Sequence, residues 1–306
     1  MAHWTTRDIP SQQGKIAVVT GGTGGLGYQI ALALARAGAE TIVAGRNPAK
    51  GAAALAAIRK RAPGAAVAFE LLDLASLASV AAFAARIERP LDLLVNNAGI
   101  MAVPERRVTQ DGFELQLGTN YLGHFALTGR LLPRLRAAAQ ARVVSLSSLA
   151  HMRGRIDFAD LQGARRYRPW PAYSQSKLAM LLFAGELQRR SDGAGWDVTS
   201  LAAHPGWART DIFTNGPAPH GLSAVPWRAM RLAAPFFAQS AAMGALPVLY
   251  AATAPAAKPG AYYGPDGPGE VRGWPKSSKL SPAAQDAATG AKLWASSSEL
   301  THVSFA

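Results

Sequence analysis

Short apolar runs rich in β-branched residues alternate along this chain with alanine- and leucine-rich segments of helical period. The predicted strands are Ile16–Thr20, Thr41–Gly45, Val67–Leu72, Leu91–Asn96, Arg142–Leu146 and Val198–Ala202. The predicted helices are Leu26–Ala37, Ala49–Lys60, Leu77–Ile87 and Ala172–Arg190. Because repeated β-α-β units place their strands side by side in one direction, the pattern predicts an α/β fold with a doubly wound parallel sheet of the Rossmann type.

The domain organisation follows from length and composition. The chain has 306 residues, 49% of them hydrophobic and 17% charged, which is enough apolar surface for one large core. No composition break and no internal repeat marks a second domain, so residues 1–306 are predicted to form a single domain. Asn215–Phe237 predicts a helical excursion from the sheet, and residues 264–306 predict a Pro/Gly-rich C-terminal extension with a short helix near Pro282–Ala295.

Composition also excludes several classes of protein. The absence of cysteine excludes disulfides, thiolate metal sites and a cysteine nucleophile. No signal peptide and no uninterrupted apolar run of about 18 residues is present, so we expect no transmembrane segment and a cytoplasmic protein. The net charge of +13 attracts polyanions in general, but the basic residues are mostly scattered. Their densest group is Arg153, Arg155, Arg165, Arg166 and Arg168. We interpret it as a solvated surface and expect no nucleic-acid partner.

A glycine-rich turn joins the first predicted strand to the first predicted helix. Its sequence is Thr20-Gly21-Gly22-Thr23-Gly24-Gly25-Leu26-Gly27. Glycines there permit positive φ and a close approach of the backbone to a pyrophosphate, and the helix that follows directs its amides and dipole at the phosphates. With a strand before it and a helix after it, the turn predicts a dinucleotide site. The candidate contacts are Gly21, Thr23, Gly25, Leu26 and Gly27.

The end of the second predicted strand indicates which dinucleotide is preferred. An acidic residue there would accept hydrogen bonds from the adenosine ribose and favour NAD(H). The chain instead has Arg46 in Ala44-Gly45-Arg46-Asn47, and a guanidinium can pair with a 2′-phosphate. We therefore predict NADP(H); the alternative is an ordinary exposed loop arginine. Asp73, followed by Leu74, ends the third strand, where it could accept from the adenine amino group or cap the helix near Ser76.

Two side chains four residues apart predict proton-transfer chemistry. Tyr173 and Lys177 share one face of a predicted helix. A phenol has a reference pKa near 10, and a nearby ammonium would lower it by favouring the phenolate. Tyr173 could then give a proton to a carbonyl oxygen or take one from an alcohol. Taken alone, the pair would also fit a half-buried core tyrosine beside an incidental lysine.

In order and spacing, these motifs resemble the short-chain dehydrogenase/reductase family. The resemblance rests on the glycine-rich turn, Asn96-Asn97-Ala98-Gly99 and Tyr173-x-x-x-Lys177, and it extends from about Lys15 to Tyr263. Within the family, Asn120-Tyr-Leu-Gly-His-Phe125, Ser147-Ser-Leu-Ala-His151 and the long interval from Ser148 to Tyr173 resemble the retinol-dehydrogenase-like branch. Membrane-bound members of that branch carry an N-terminal anchor, which we do not expect here.

The resemblance implies roles for further residues. Ser148, the second serine of its pair, would polarise the substrate oxygen, with Ser145 and Ser147 as rivals, and Lys177 would also hydrogen-bond the nicotinamide ribose. Asn120 would hold a water that connects Lys177 to solvent, unless it is a structural amide. The implied cofactor contacts also include Asn97, Ala98, Gly99, Pro205, Gly206 and Thr210. Thr210 would bind the nicotinamide carboxamide or merely cap a helix.

The segment 212–240 is expected to cover the substrate as a lid. It contains Phe213, Trp227, Met230, Phe236 and Phe237 and no acidic residue after Ile212, which favours a hydrophobic ketone, aldehyde or alcohol over a sugar. The same side chains could merely pack the excursion onto the domain. Two other functions stay open: a non-catalytic NADP(H) sensor, and a membrane-surface protein that uses the basic, apolar segment Leu222–Phe237.

Two further expectations concern metals and assembly. His124, His151 and His204 lack the helix-face spacing with an acid that a metal site requires, so we predict structural histidines and no metal. Dimers and tetramers are frequent in the family, so a homo-oligomer is compatible with the resemblance.

Overall fold

The computed structural model describes residues 3–208 and 238–305. Thr210 lies outside the described residues, and so does the predicted lid apart from its last three residues, 238–240. The basic, apolar segment Leu222–Phe237 is outside them as well.

The described elements follow the predicted alternation. The strands are β1 (Ile16–Thr20), β2 (Glu40–Gly45), β3 (Val67–Leu71), β4 (Leu93–Asn96), β5 (Ala141–Leu146), β6 (Val198–Ala203), β7 (Tyr262–Pro265) and β8 (Pro275–Ser277). The helices are α1 (Gly25–Arg36), α2 (Pro48–Arg61), α3 (Leu77–Arg86), α4 (Leu115–Leu117), α5 (Gly123–Arg136), α6 (Pro169–Ala194), α7 (Ala241–Thr253) and α8 (Ala287–Thr301). A π-helical turn, Gly118–Leu122, joins α4 to α5.

The strands form one sheet in the order β3-β2-β1-β4-β5-β6-β7-β8. All neighbouring pairs are parallel except β7 and β8, which are antiparallel. The order reverses between β1 and β4, and in open α/β sheets ligands bind at the carboxyl ends of the strands beside such a reversal. The single-domain Rossmann-type sheet predicted from the alternation is therefore confirmed.

Helices cover both faces of the sheet. On one face α3, α5, α6 and α8 pack against alternate strand residues such as Ile16 and Val18. On the other face α1, α2 and α7 cover the intervening residues Ala17 and Val19. All five residues of β1 are buried, because a strand covered on both sides has no solvent-facing position. This explains why the strands are continuous apolar runs.

The boundaries of α6 extend beyond the prediction. Pro169 occupies the first turn, where its fixed φ and missing N–H are tolerated, so the helix begins three residues before Ala172. It ends at a left-handed Gly195 with φ of 64°. Within the C-terminal segment, β7 and β8 extend the sheet and α8 packs along α6. No helix among residues 3–208 and 238–305 has the length and apolar character needed to cross a membrane.

Candidate active site

The glycine-rich turn is packed against the loop after β4. Gly21 and Gly25 have positive φ values of 65° and 52°, which residues with a Cβ rarely adopt. A Cβ on Gly27 would lie 2.3 Å from the carbonyl oxygen of Gly21 and 2.5 Å from Nδ2 of Asn97. Gly24, at the N-cap of α1, offers no capping side chain. The turn therefore leaves bare amides at a helix N-terminus, as a phosphate requires.

The end of β2 adjoins this turn. A Cβ on Gly45 would contact Cγ2 of Thr23 at 3.1 Å, so Thr23 lies over the end of the strand. The next residue, Arg46, is exposed, and its side chain makes no hydrogen bond or ion pair with any described residue. Its guanidinium is available to a ligand at the carboxyl edge of the sheet.

Asp73 is not the N-terminal cap of α3, which was one of the two roles predicted for it. The N-cap of α3 is Ser76, whose hydroxyl accepts from the amide of Ser79. One carboxylate oxygen of Asp73 accepts from the amide of Ala75 at 3.0 Å. The capping alternative for Asp73 is therefore wrong, because a serine three residues later satisfies the helix amides. Leu74 is buried, and its carbonyl lies against Gly123 at the start of α5.

The loop Asn97-Ala98-Gly99 is tied to the end of β1. The hydroxyl of Thr20 accepts from the amides of Asn97 and Ala98, each at 2.9 Å, and Asn97 Nδ2 donates to the carbonyl of Thr20 at 2.7 Å. A Cβ on Gly99 would lie 3.1 Å from Oδ1 of Asn120 and 3.5 Å from Nζ of Lys177. This loop therefore connects the glycine-rich turn to the residues of the predicted catalytic group.

Tyr173 and Lys177 lie buried on one face of α6. Nζ of Lys177 is 5.8 Å from the centroid of the Tyr173 ring and donates to the carbonyl of Leu146 at 3.1 Å. No carboxylate among the described residues pairs with this ammonium, and burial lowers its pKa to about 8. A buried cation with one acceptor retains donors for a ligand.

The pKa of Tyr173 differs from the prediction. Burial raises it to about 12, while a hydrogen bond with the side chain of Ser148 lowers it. The expected lowering by Lys177 is not among the causes that set this pKa, which is dominated by the cost of removing a phenolate from water. At neutral pH the phenol keeps its proton, which suits a proton donor.

The structure distinguishes the three candidate serines. Ser147 Oγ is buried and donates to the carbonyl of Lys177 at 2.8 Å, and Ser145 lies inside β5. Ser148 follows the strand, is only partly buried, and is the serine whose side chain lowers the pKa of Tyr173. Its hydroxyl also accepts from the amide of Ala150 at 3.2 Å. Ser148 is therefore the serine beside the phenol.

The side chain of Asn120, in the π-helical turn, is fully engaged with its neighbours. Its Oδ1 accepts from the amide of Ile100 at 2.8 Å, and its Nδ2 donates to the carbonyl of Ile100 and to Oγ of Ser176, both at 2.9 Å. Asn120 thus clamps the segment after Gly99 onto α6. These bonds agree with the alternative that Asn120 is a structural amide. Its other predicted role, holding a water for proton exchange, stays a prediction.

The turn after β6 is held by the C-terminal segment. Gly206 has a φ of 62°, and a Cβ there would lie 2.3 Å from the carbonyl of Val271. Its amide donates to Nδ1 of His204, so Nε2 of His204 carries the hydrogen toward the carboxylate of Glu270 at 3.0 Å. This hydrogen bond is the largest cause that lowers the pKa of Glu270. Pro205 accepts from Gln239 Nε2 at 2.6 Å.

A family model described as short chain dehydrogenase matches residues 15–219. This chain belongs to the short-chain dehydrogenase family. It is 42% identical over 292 residues to retinol dehydrogenase 12 of Mus musculus, with 94% of this chain and 86% of the relative covered. It is 43% identical over 254 residues to polyprenol dehydrogenase of Danio rerio, with 81% and 76% covered. The predicted likeness to the retinol-dehydrogenase-like branch is therefore confirmed, and the chain is an oxidoreductase.

Two solved structures share the fold. An uncharacterized protein of Mycobacterium paratuberculosis superposes with a TM-score of 0.82 at 42% identity, and each chain is covered completely. A proposed NAD(P)-dependent gluconate 5-dehydrogenase of Beutenbergia cavernae, with NADP bound at low occupancy, gives a TM-score of 0.64 at 26% identity over 82% of this chain and 95% of that one. The fold of this chain therefore binds a nicotinamide cofactor.

Proposed function

We propose that this protein transfers hydride between NADP(H) and a hydrophobic ketone or aldehyde, or the corresponding alcohol, with Tyr173 as the general acid or base. The observation that carries the proposal is the buried Tyr173 on one face of α6, with Nζ of Lys177 5.8 Å from the centroid of its ring and the side chain of Ser148 near enough to lower its pKa. Two hydroxyls close to each other are what the polarisation and protonation of one substrate oxygen require.

The residues at the sheet edge fit a dinucleotide phosphate. Gly25, Leu26 and Gly27 carry the first amides of α1, which have no hydrogen-bond acceptor among the described residues, whereas the amide of Gly21 donates to the carbonyl of Ala44 at 2.8 Å. Lys177 has donors for a ribose hydroxyl. Asn97, Ala98 and Gly99 would border the nicotinamide half, together with Pro205 and Gly206. The proposed contact of Asp73 with adenine would use the carboxylate oxygen that Ala75 does not take.

NADP(H) is favoured over NAD(H) by the charge at the end of β2. Arg46 is exposed and free of partners among the described residues, and no carboxylate follows β2 that would repel a 2′-phosphate. A bidentate guanidinium–phosphate contact is among the stronger charge-assisted hydrogen bonds. The Beutenbergia structure, which has NADP bound at low occupancy, is a further reason to test this cofactor first.

When the cofactor is bound, its nicotinamide supplies or accepts the hydride. Ser148 donates a hydrogen bond to the substrate oxygen, where negative charge develops during reduction. Tyr173 gives its proton to the same oxygen, and its raised pKa keeps that proton in place at neutral pH. Oxidation of an alcohol would run the same proton transfer in reverse, with Tyr173 as the base.

A hydrophobic substrate is supported from two sides. The names of the relatives given above refer to retinol and polyprenol, both long apolar alcohols. In this chain Trp170 is 45% exposed and packs edge-on against Tyr173 with ring centroids 6.2 Å apart, and Met152, four residues after Ser148, is 56% exposed. An exposed apolar side chain beside a reacting group, such as Trp170 beside Tyr173, gains most by covering apolar substrate.

Turnover assays test the proposal directly. Catalytic efficiency should rise with substrate hydrophobicity across alkyl and aryl aldehydes and ketones, including steroid ketones and the aldehydes of retinol and a polyprenol. Each should be assayed with NADPH and then with NADH. A flat or inverted trend across the series would exclude the hydrophobic pocket.

Substitution of Arg46 tests the cofactor. Arg46→Ala should weaken NADPH binding by roughly 1.5–3 kcal/mol and leave NADH nearly unchanged, since only the former carries the 2′-phosphate. Arg7→Ala removes the same charge from an exposed site in the N-terminal segment before β1 and serves as the control. Equal losses for both cofactors with Arg46→Ala would assign that residue another role.

A further inference from the structure

A buried histidine of α5 is joined to both halves of the site. His124 is completely buried and lies four residues after Asn120. Its Nδ1 contacts the main-chain carbonyl of Asn120 at 2.8 Å, and its Nε2 contacts the hydroxyl of Thr20 at 2.9 Å. The imidazole therefore lies between the end of β1, where the glycine-rich turn begins, and the π-helical turn that carries Asn120.

The partners of the ring fix its tautomer. A carbonyl oxygen can only accept, so Nδ1 of His124 carries the hydrogen and donates it to Asn120. Burial lowers the pKa of His124 to about 4, so the ring is neutral at physiological pH and Nε2 keeps its lone pair. Nε2 must then accept, and the hydroxyl of Thr20 is its donor.

The direction of that hydroxyl governs the loop after β4. With its hydrogen directed at His124, the oxygen of Thr20 has its lone pairs available for the amides of Asn97 and Ala98. The competing acceptor of the Thr20 hydrogen, the carbonyl of Val95, is farther away at 3.3 Å. His124 thus orients the hydroxyl that holds the Asn97-Ala98 loop against the glycine-rich turn.

We propose that His124 is a positioning residue that couples the cofactor turn at Thr20 to the π-helical turn at Asn120. It acts through those two residues and does not touch substrate. For its effect on turnover the inference rests on the proposed function, but its effect on the loop after β4 does not. Loss of the ring should loosen Asn97 and Ala98 and weaken cofactor binding at the same time.

Three substitutions separate the two hydrogen bonds. His124→Leu removes both, His124→Asn can replace the Nδ1 donor to Asn120, and His124→Gln reaches the position of Nε2 toward Thr20. The matched control is Thr253→Val at the end of α7, which breaks a buried hydrogen bond of 2.7 Å with the carbonyl of Leu249 and contacts neither His124 nor the loop after β4. The readouts are amide hydrogen exchange of the peptide that contains Asn97, the Kd for NADPH, kcat and the unfolding midpoint in urea.

The expected pattern is specific. His124→Leu and His124→Asn should raise amide exchange over Asn97 and Ala98 and weaken NADPH binding about 10-fold, the equivalent of one hydrogen bond of about 1.4 kcal/mol. His124→Gln should restore part of the exchange protection and part of the NADPH affinity, and Thr253→Val should lower the unfolding midpoint without changing either quantity. His124→Asn should keep a larger share of kcat than His124→Leu.

If His124→Asn and His124→Leu show the same amide exchange and the same NADPH affinity as the wild type, the inference is overturned and His124 is only a packing residue of the core. If His124→Leu fails to fold, the comparison of the Asn and Gln variants decides by the same readouts. Absence of NADPH binding and turnover in the wild type would instead refute the proposed function, while the exchange experiment would still decide the coupling.

Discussion

Gly27 offers a perturbation whose size can be worked out from the packing of the glycine-rich turn. A Cβ at this position would lie 2.3 Å from the carbonyl oxygen of Gly21 and 2.5 Å from Nδ2 of Asn97. Real Cβ atoms do not approach neighbours within 3.0 Å, so the turn or the loop must move by at least about 0.7 Å, the difference between 3.0 and 2.3. The groups that must move are those proposed to bind phosphate and nicotinamide.

Two opposing effects determine the stability of Gly27→Ala. Alanine in a helix gains roughly 0.5–1 kcal/mol over glycine, whereas forcing an extra carbon into a packed site costs roughly 1–3 kcal/mol. We expect a net destabilisation of about 1 kcal/mol. The displaced turn should weaken NADPH binding about 10- to 100-fold, the range for one charge-assisted hydrogen bond of roughly 1.5–3 kcal/mol.

Gly185→Ala is the matched control. Gly185 lies inside α6, and outside its chain neighbours and the backbone of its own helix no described atom is within 4 Å of the position that its Cβ would take. This variant should be more stable than the wild type by roughly 0.5–1 kcal/mol and bind NADPH normally. Urea unfolding and fluorescence titration with NADPH measure both quantities. If Gly27→Ala matched Gly185→Ala in stability and affinity, the argument from close packing of the turn would be refuted.

Three other predictions concern pH and buried hydrogen bonds. The pKa of His124 is lowered from 6.5 to about 4, so between these pH values the unfolded chain binds a proton at His124 that the folded chain does not. The free energy of unfolding, measured in urea, should therefore decrease by on the order of 3 kcal/mol as the pH falls through this window. His124→Leu should abolish this part of the pH dependence. Glu270→Gln should lower the free energy of unfolding by about 1 kcal/mol at pH 7. The loss should be smaller in acid, because protonation of Glu270 already weakens its hydrogen bond with His204 there. An equal loss at both pH values would contradict this prediction. Ser148→Ala should reduce kcat at least about 10-fold more than Ser147→Ala, which should mainly lower stability, and the reverse order in steady-state assays would exchange the two roles.

Local sequence determines much of the fold because each element carries its own signal. The residues of β1 are buried on both faces and appear as an unbroken apolar run, and Pro48 starts α2 in the first turn, where proline is favoured. By contrast, β7 and β8 have four and three residues and contain proline or glycine, so no periodicity distinguishes them from loop. They exist because neighbours that are distant in sequence pair with them.

The site was partly predictable for the same reason. Tyr173 and Lys177 share a helix, so their spacing of four indicates that they face the same side. The pKa of Tyr173 depends instead on burial by the whole domain, which no local pattern reveals. The coupling of His124 to Thr20 joins residues 104 positions apart, and the only sequence signal is a histidine four residues after Asn120 on a helix.

The central claim is that Tyr173 transfers the proton that accompanies hydride transfer. Steady-state turnover of Tyr173→Phe with NADPH and the best aldehyde or ketone substrate tests it, with the Kd for NADPH measured in parallel. Tyr121→Phe is the control, since Tyr121 is a buried tyrosine whose hydroxyl bonds only Ser297 among the described residues. We expect Tyr173→Phe to lose roughly 10²- to 10⁴-fold in kcat with an almost unchanged Kd, and Tyr121→Phe to keep its activity. Retention of most of the activity by Tyr173→Phe would contradict the account.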